Sequence, residues 1–389
     1  MPNNPVVASY VANYLKMDMM HIYWQLVGQR KDIDAHVFTH KRELEKYFPY
    51  HHKWMHVLPR PRLRWWRRFW NMQVMKRPWQ IFDWELERWV MDLTRIDAQV
   101  LHIYFGHAAP QFIPLMKVWR HPVVVSFHGA DAGVDMDKPG YRAAMQEVLR
   151  LATQIQCRSE ALAADVIALG CDPDKVVIQR TGIPLEQWVY RERVRPENGA
   201  WRLIQSCRFI EKKGLDLTLR AFAEVVKTYP NARLVLVGDG PLKVQLQELA
   251  AQLGIASSVD FPGFLHLGGI MKRTYESQIF LHPSRTGADG NREGVPNSML
   301  EAMASGAVAV ATDHGGIAEA ITDGVSGLLV AENDVPALAA AVLRVMGDDA
   351  LRMDLARGGR TAVEGKYSQE LQSQHLVGLY KDLILKAKA

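Results

Sequence analysis

The chain has 389 residues, of which 48% are hydrophobic and 23% charged, with a formal charge of +5 at pH 7. Single hydrophobic cores stop growing at roughly 250–300 residues, so two domains are expected, with apolar material for both. Cys157, Cys171 and Cys207 show no C-x-x-C spacing and no histidines at zinc spacing, which argues against a disulfide framework or a structural zinc and fits a reducing cytosol.

The N-terminus, MPNNPVVASY, has no basic segment followed by an apolar core, so no signal peptide is expected. Strands are expected at Val6–Ser9 and Ala35–Thr39. Between Trp54 and Trp89 seven tryptophans (Trp54, Trp65, Trp66, Trp70, Trp79, Trp84, Trp89) interleave with Lys53, Arg60, Arg62, Arg64, Arg67, Arg68, Lys76, Arg77 and Arg88. Basic residues attract anionic lipid and tryptophan favours the headgroup boundary, so the segment suits a membrane surface. Equally, its tryptophans could pack a helical insertion under solvated arginines. Such side chains also hold single strands, but no nucleic-acid-binding motif accompanies them, and no nucleic-acid partner is expected.

Further strands are expected at Gln99–Tyr104, Val123–Phe127, Thr153–Cys157 and Lys175–Gln179. The apolar stretch Val100–Met116 is broken by Gly106, Pro110 and Pro114 and is no membrane span. Arg191–Gly199, RERVRPENG, reads as a linker. Beyond it, strands are expected at Arg202–Cys207, Arg233–Val237, Val259–Pro262, Gln278–His282, Ala307–Ala311 and Gly327–Val330, with helices at Leu215–Thr228 and Leu242–Leu253 between them. VVVSF, RLVLV and AVAVA are continuous apolar runs, as buried parallel strands require. From Ser368 onward, Leu371, His375, Leu379 and Leu383 recur every fourth residue and predict a helix with that stripe buried.

The stretch Glu293-Gly294-Val295-Pro296-Asn297-Ser298-Met299-Leu300-Glu301 follows an expected strand and a loop and runs into a helix. Pro296 suits the helix's first turn. Glu293 falls in the loop before the helix and Glu301 about two turns inside it. The helix start offers amides and a positive dipole end to a phosphate. One stretch thus holds a carboxylate for sugar hydroxyls, donors for a diphosphate and a carboxylate for a ribose diol.

EGVPNSMLEAMASG followed by AVAVATDHGGIAEAITDGVSGLLV resembles the donor site of glycosyltransferase family 4 throughout the second half and part of the first. The resemblance implies an α/β chain of the GT-B class, with two Rossmann-like domains facing across a cleft. Residues 1–190 would form the acceptor-side domain with a Trp/Arg-rich insertion at 53–90, 191–199 a linker and 200–366 the nucleotide-sugar donor domain. Residues 367–389 would form a helix returning to the first domain. Arg208 and Lys213, in CRFIEKKG, look like the family's pair that grips the donor diphosphate, although KKG alone would also fit a solvated basic turn. Such cations stabilise the charge that builds on a departing diphosphate. Gly238 and Gly240, in GDGP, match the family's glycine turn; they do not form G-x-G-x-x-G and read first as a tight strand-to-helix turn. Phe264 and Leu265 fall where the family's backbone borders the nucleobase, and Gly294, Val295, Pro296 and Asn297 where it meets the donor.

His128, in HGAD, resembles the family's histidine beside the donor sugar, though a histidine there can equally be structural. His102 and His107 flank a strand end, and with Asp131 they are candidates for the acceptor wall. The first loop, VVASYVANYLKM, lacks the family's Gly-Gly, so acceptor contacts there do not carry over. The implied activity is retaining, metal-independent transfer of a sugar from a nucleotide donor, UDP ahead of GDP, to a glycan or lipid-linked acceptor of bacterial polysaccharide synthesis. No cofactor or metal is expected; Asp135 and Asp137 form D-M-D away from the donor site. The expected location is the cytoplasm or the inner face of the membrane. A non-catalytic, nucleotide-sugar-binding peripheral membrane protein is the alternative.

Overall fold

A computed structural model describes residues 4–16, 19–59, 63–129, 133, 135–287 and 292–388. The chain forms two compact units, one of Met1–Gly182 with Gln369–Ala389 and one of Ile183–Ser368.

The first unit is built on a seven-stranded parallel sheet. Its order is Met55–Val57, Asp34–Thr39, Val6–Tyr10, Val100–Tyr104, Val123–Phe127, Gln154–Cys157 and Val176–Ile178. Val100–Tyr104 and Val123–Phe127 are buried along their whole length, which is why they read as unbroken apolar runs. The edge strand Met55–Val57 pairs with Asp34–Thr39 and was hidden in the Trp/Arg-rich segment, because three residues are too few to show a period. The glycine-free first loop is an apolar plug: Val11, Tyr14 and Leu15 are buried among Ile22, Leu26, Phe48 and Tyr50.

The C-terminal helix Gln369–Lys388 packs on this sheet, but not by the expected stripe. Leu376, Val377, Tyr380, Leu383 and Ile384 are buried against Val7, Ile33, Ala35, Val100 and Val124, whereas Leu371 is 41% exposed. A strict spacing of four drifts round a helix by about 40° per step; a straight face alternates threes and fours. His102 faces this helix. It is fully buried in its strand, stacked on Tyr104, with Nδ1 2.5 Å from the Tyr380 hydroxyl.

In the second unit a six-stranded parallel sheet runs Val259–Gly263, Arg233–Val237, Arg202–Ser206, Ile279–His282, Val308–Thr312 and Leu328–Val330. Residues 191–199, expected as a linker, belong to this unit. Arg193 is buried there and donates to the carbonyls of Ser277, Ser305 and Thr274. A guanidinium has five donors, enough to cap several helix-end carbonyls at once, so a segment that looks polar and loose is fastened down. The chain passes between units at Gly182–Ile183 and Ser368–Gln369.

Leu376→Ala should destabilise the first unit by about 2–5 kcal/mol, the usual cost of emptying a packed site. Leu371→Ala should stay within about 0.5 kcal/mol. Denaturant unfolding of both variants checks this, and equal losses would place the wrong face inward.

Candidate functional site

The strand order of the second unit reverses at Arg202–Ser206, whose neighbours are Arg233–Val237 on one side and Ile279–His282 on the other. Open parallel sheets hold ligands beyond the carboxyl ends of the strands at such a reversal. Two loops leave the sheet there, and they carry Arg208, Lys213 and Glu293. Arg208 is exposed at the strand end. Lys212 and Lys213 are buried in the short turn Glu211–Lys213. Their ammonium groups lie 3.8 Å and 2.6 Å from the same oxygen, Glu293 Oε2. Burial alone would raise the Glu293 pKa, but the two lysines outweigh it and hold the carboxyl down to about 2. Burial pushes the neighbouring Cys207 thiol up to about 12, against Lys213, so it is no nucleophile.

The helix after this loop spans Asn297–Ser305. Pro296 caps it from outside in an extended conformation instead of occupying its first turn, and its carbonyl accepts from the amides of Met299 and Leu300. The locked φ of proline suits both positions, which is why the sequence could not separate them. Ser298 Oγ donates to the Ser206 carbonyl at 2.7 Å. The positive end of the helix is thereby pinned beside the strand end that leads to Arg208. Glu301 makes no hydrogen bond or ion pair among the described residues, and burial pushes its carboxyl up to about 8.

Gly238 and Gly240 stand where the backbone is closely approached. A β-carbon at Gly238 would lie 1.9 Å from the Cys207 carbonyl oxygen, and one at Gly240 would lie 2.5 Å from that of Phe209. Only glycines let this turn support the loop that carries Arg208. Gly238 also donates to the Gly263 carbonyl, which sets exposed Phe264 and partly buried Leu265 at the adjoining strand end.

Sequence reasoning overlooked the groups that hold Glu293. Its amide donates to His314 Nε2 at 2.9 Å, and His314 Nδ1 lies 2.6 Å from Glu332 Oε1. Since Nε2 accepts, the proton sits on Nδ1 and is donated to Glu332. Glu332 in turn accepts from the Thr286 amide. The signal was present in TDHGG: a β-carbon at Gly315 would stand 2.1 Å from the Glu293 carbonyl oxygen, and one at Gly316 would stand 2.9 Å from the carbonyl carbon of Gly294. The loop of Gly294 and Val295 therefore rests on this glycine pair.

In the first unit, His128 follows the strand Val123–Phe127, with Nε2 2.9 Å from Ser126 Oγ. Its ring lies 4.6 Å from Phe105 and 5.5 Å from His21. Burial, then Arg158, keep it neutral by lowering its pKa well below the ordinary value. His107 is exposed in the turn Gly106–Phe112. His102 is no wall residue: it sits inside its strand against the C-terminal helix, a place fixed by the alternation of faces along a strand. Asp131 lies outside the described residues.

The tryptophan belt divides. Trp89 is core, packed on Tyr10, Phe38 and Phe112, and Trp79 lies under Arg67. Arg67 is buried and paired with Glu85 at 2.6 Å. Trp65 is 83% exposed, Leu63, Trp66, Phe69 and Trp70 are exposed too, and the rings of Trp66 and Trp70 stack. Arg60 and Arg62 lie outside the described residues. Among the described residues no helix is long and apolar enough to cross a membrane, and no group of His, Cys, Asp and Glu is placed to hold a metal ion.

Comparison with known proteins agrees with this layout. Residues 27–187 match the family Glycosyltransferase Family 4, and residues 186–362 match Glycosyl transferases group 1. The amylovoran biosynthesis glycosyltransferase AmsK of Erwinia amylovora is 31% identical over 74% of this chain and 70% of its own. The putative colanic acid biosynthesis glycosyltransferase WcaL of Escherichia coli is 30% identical over 75% and 72%. Among solved structures, Anabaena HepE, crystallised with UDP, aligns over 97% of this chain and 100% of its own with a TM-score of 0.76 at 15% identity. WaaG, a glycosyltransferase of lipopolysaccharide biosynthesis, aligns over 96% and 99% with a TM-score of 0.65 at 16% identity. With two parallel-sheet units, a charged cluster at the strand reversal of the second and these relatives, the chain belongs to glycosyltransferase family 4 and is a glycosyltransferase of the GT-B fold.

Proposed function

We propose that this glycosyltransferase moves a sugar from a UDP-sugar, with retention and without a metal ion, to a glycan or lipid-linked acceptor in bacterial exopolysaccharide synthesis. The observation that carries the reading is the approach of Lys212 and Lys213 to Glu293 at the strand reversal. Lys213 and Arg208 are the cations that take up charge on the departing diphosphate, together with the helix start at Asn297. Glu293, ionised and anchored through its amide, accepts from hydroxyls of the transferred sugar. Glu301 takes the ribose diol, the backbone at Phe264 and Leu265 borders the nucleobase, and His128 meets the donor sugar as a neutral imidazole. In the front-face route, the departing phosphate takes the acceptor proton as the new glycosidic bond forms. The names of the exopolysaccharide relatives support the pathway class.

The exposed cluster of Leu63, Trp65, Trp66, Phe69 and Trp70 supports a second element of the proposal, peripheral contact with an anionic membrane. Several exposed aromatic and aliphatic side chains on one short helical stretch exceed what a solvated face needs.

Lys213→Ala and Glu301→Ala should each lower transfer by at least about tenfold. A radiolabelled-sugar assay checks this, and near-normal rates in both would remove the site. A thermal-shift comparison of UDP with GDP tests the base.

The raised Glu301 pKa gives a pH signature. The folded value of about 8 lies above the ordinary 4.5, so the carboxyl's contribution to stability is complete below the unfolded value and is lost as pH rises through about 8. A ribose diol donates to a carboxylate, so binding favours the ionised form. Nucleotide affinity should therefore rise between about pH 6.5 and 8.5 in wild type, beyond any rise in Glu301→Gln. Parallel calorimetric profiles for the two proteins would contradict the assignment.

Replacing Trp65, Trp66 and Trp70 together by alanine should lower binding to anionic lipid vesicles at least about tenfold, given the apolar area removed. Co-sedimentation unchanged by the triple substitution would rule out the membrane face.

A further inference from the structure

The first unit carries a polar recess beside His128. Its sheet ends in a recess of about 410 Å³ of open space at the carboxyl ends of Val123–Phe127, Gln154–Cys157 and Val176–Ile178. That is the edge at which parallel sheets take ligands. The wall is polar. Gln156 is 1% exposed and Thr181 5%, yet Gln156 Oε1 and Thr181 Oγ1 have no hydrogen-bond partner among the described residues. The same holds for Gln179 Oε1 and for both ring nitrogens of His21. A buried polar group left unsatisfied is costly, so five such atoms around one recess point to a ligand that would satisfy them. Arg158 and Arg180 stand in the same wall, Arg180 also paired with Glu160 at 3.0 Å. Among the described residues the lining includes no aspartate or glutamate. The start of the C-terminal helix, at Gln369, turns its positive end to the recess.

We propose that this recess binds an anionic sugar, Arg158 and Arg180 taking its phosphate or carboxylate and Gln156, Gln179 and Thr181 its hydroxyls. Amide oxygens and a hydroxyl accept from sugar hydroxyls, and guanidinium groups pair with a planar or tetrahedral anion. Resting on the transferase reading, the inference names the acceptor class: a sugar that is acidic or phosphorylated where it enters the enzyme.

Calorimetry on the full-length protein tests this with glucose 6-phosphate, glucuronate, glucose and inorganic phosphate. At least one anionic sugar should bind about tenfold or more tighter than glucose and tighter than phosphate, and Arg158→Gln should abolish that preference. A lead for glucose 6-phosphate identifies a phosphorylated acceptor, and a lead for glucuronate an acidic one. Equal binding of glucose, phosphate alone binding as tightly, no sugar binding, or a preference that survives Arg158→Gln would each overturn the proposal. Should Arg158→Gln fail to fold, Thr181→Val gives the second reading: it should weaken the anionic sugar about threefold or more and leave phosphate unchanged, and an unchanged sugar affinity counts against the site. UDP titrated into the same wild-type sample separates the two readings. Nucleotide binding without sugar binding removes this inference alone, whereas sugar binding without nucleotide binding removes the donor site.

Discussion

Two ammonium groups, each drawn out of water to within 4 Å of one carboxylate, organise the strand reversal of the second unit. Withdrawing such charges costs about as much as their attraction returns, so a buried ion cluster adds little net stability. What it supplies is a fixed positive excess, already desolvated, where the proposed donor's diphosphate would be met. Preorganised charge of that kind needs no reorganisation as the glycosidic bond breaks. The neighbouring structure serves to keep it in place. His314, oriented by Glu332, holds the Glu293 amide, and Ser298 ties the helix start to the strand end.

Two carboxylates eight positions apart end in opposite states. Glu293 is held ionised by Lys213 and Lys212 against the pull of burial, whereas Glu301 has burial without a cation and stays protonated to about pH 8. Environments that push paired carboxyls apart are a usual way to give one residue type two roles. Here the ionised one can only accept, which suits several sugar hydroxyls around a cationic site. The protonated one is neutral without ligand, and the hydroxyls of the proposed ribose diol would favour its ionised form.

What the sequence made legible follows from the strength of each physical signal. Continuous apolar runs such as RLVLV located the strands, and strand order then placed Arg208, Lys213 and Glu293 at one edge. The E-x7-E stretch carried its own helix signature. Contacts that arise only in three dimensions stayed hidden. Nothing local marks Glu332 as the partner of His314, or Tyr380 as the partner of His102, 278 positions away. The C-terminal stripe failed because a spacing of four was read as a straight face. The presumed linker failed because Arg193 is one cation among several in RERVRPENG, and only the packed structure shows which one is buried against helix-end carbonyls. The tryptophan belt joined two populations, core and exposed, that composition cannot separate.

The two units also treat charge differently, and this bears on how each can recognise a substrate. In the first, burial lowers His102 to about 3 and keeps His21 and His128 well below their ordinary values. These rings are therefore neutral throughout the physiological range and contribute hydrogen bonds, not charge. Positive charge at the recess comes from arginines alone, which do not give up their protons. The arginines there keep their charge across this range, while the second unit carries Glu301, a carboxyl that titrates near neutrality. Glu301, whose ionisation falls near neutrality, is thus one source of pH dependence in nucleotide binding.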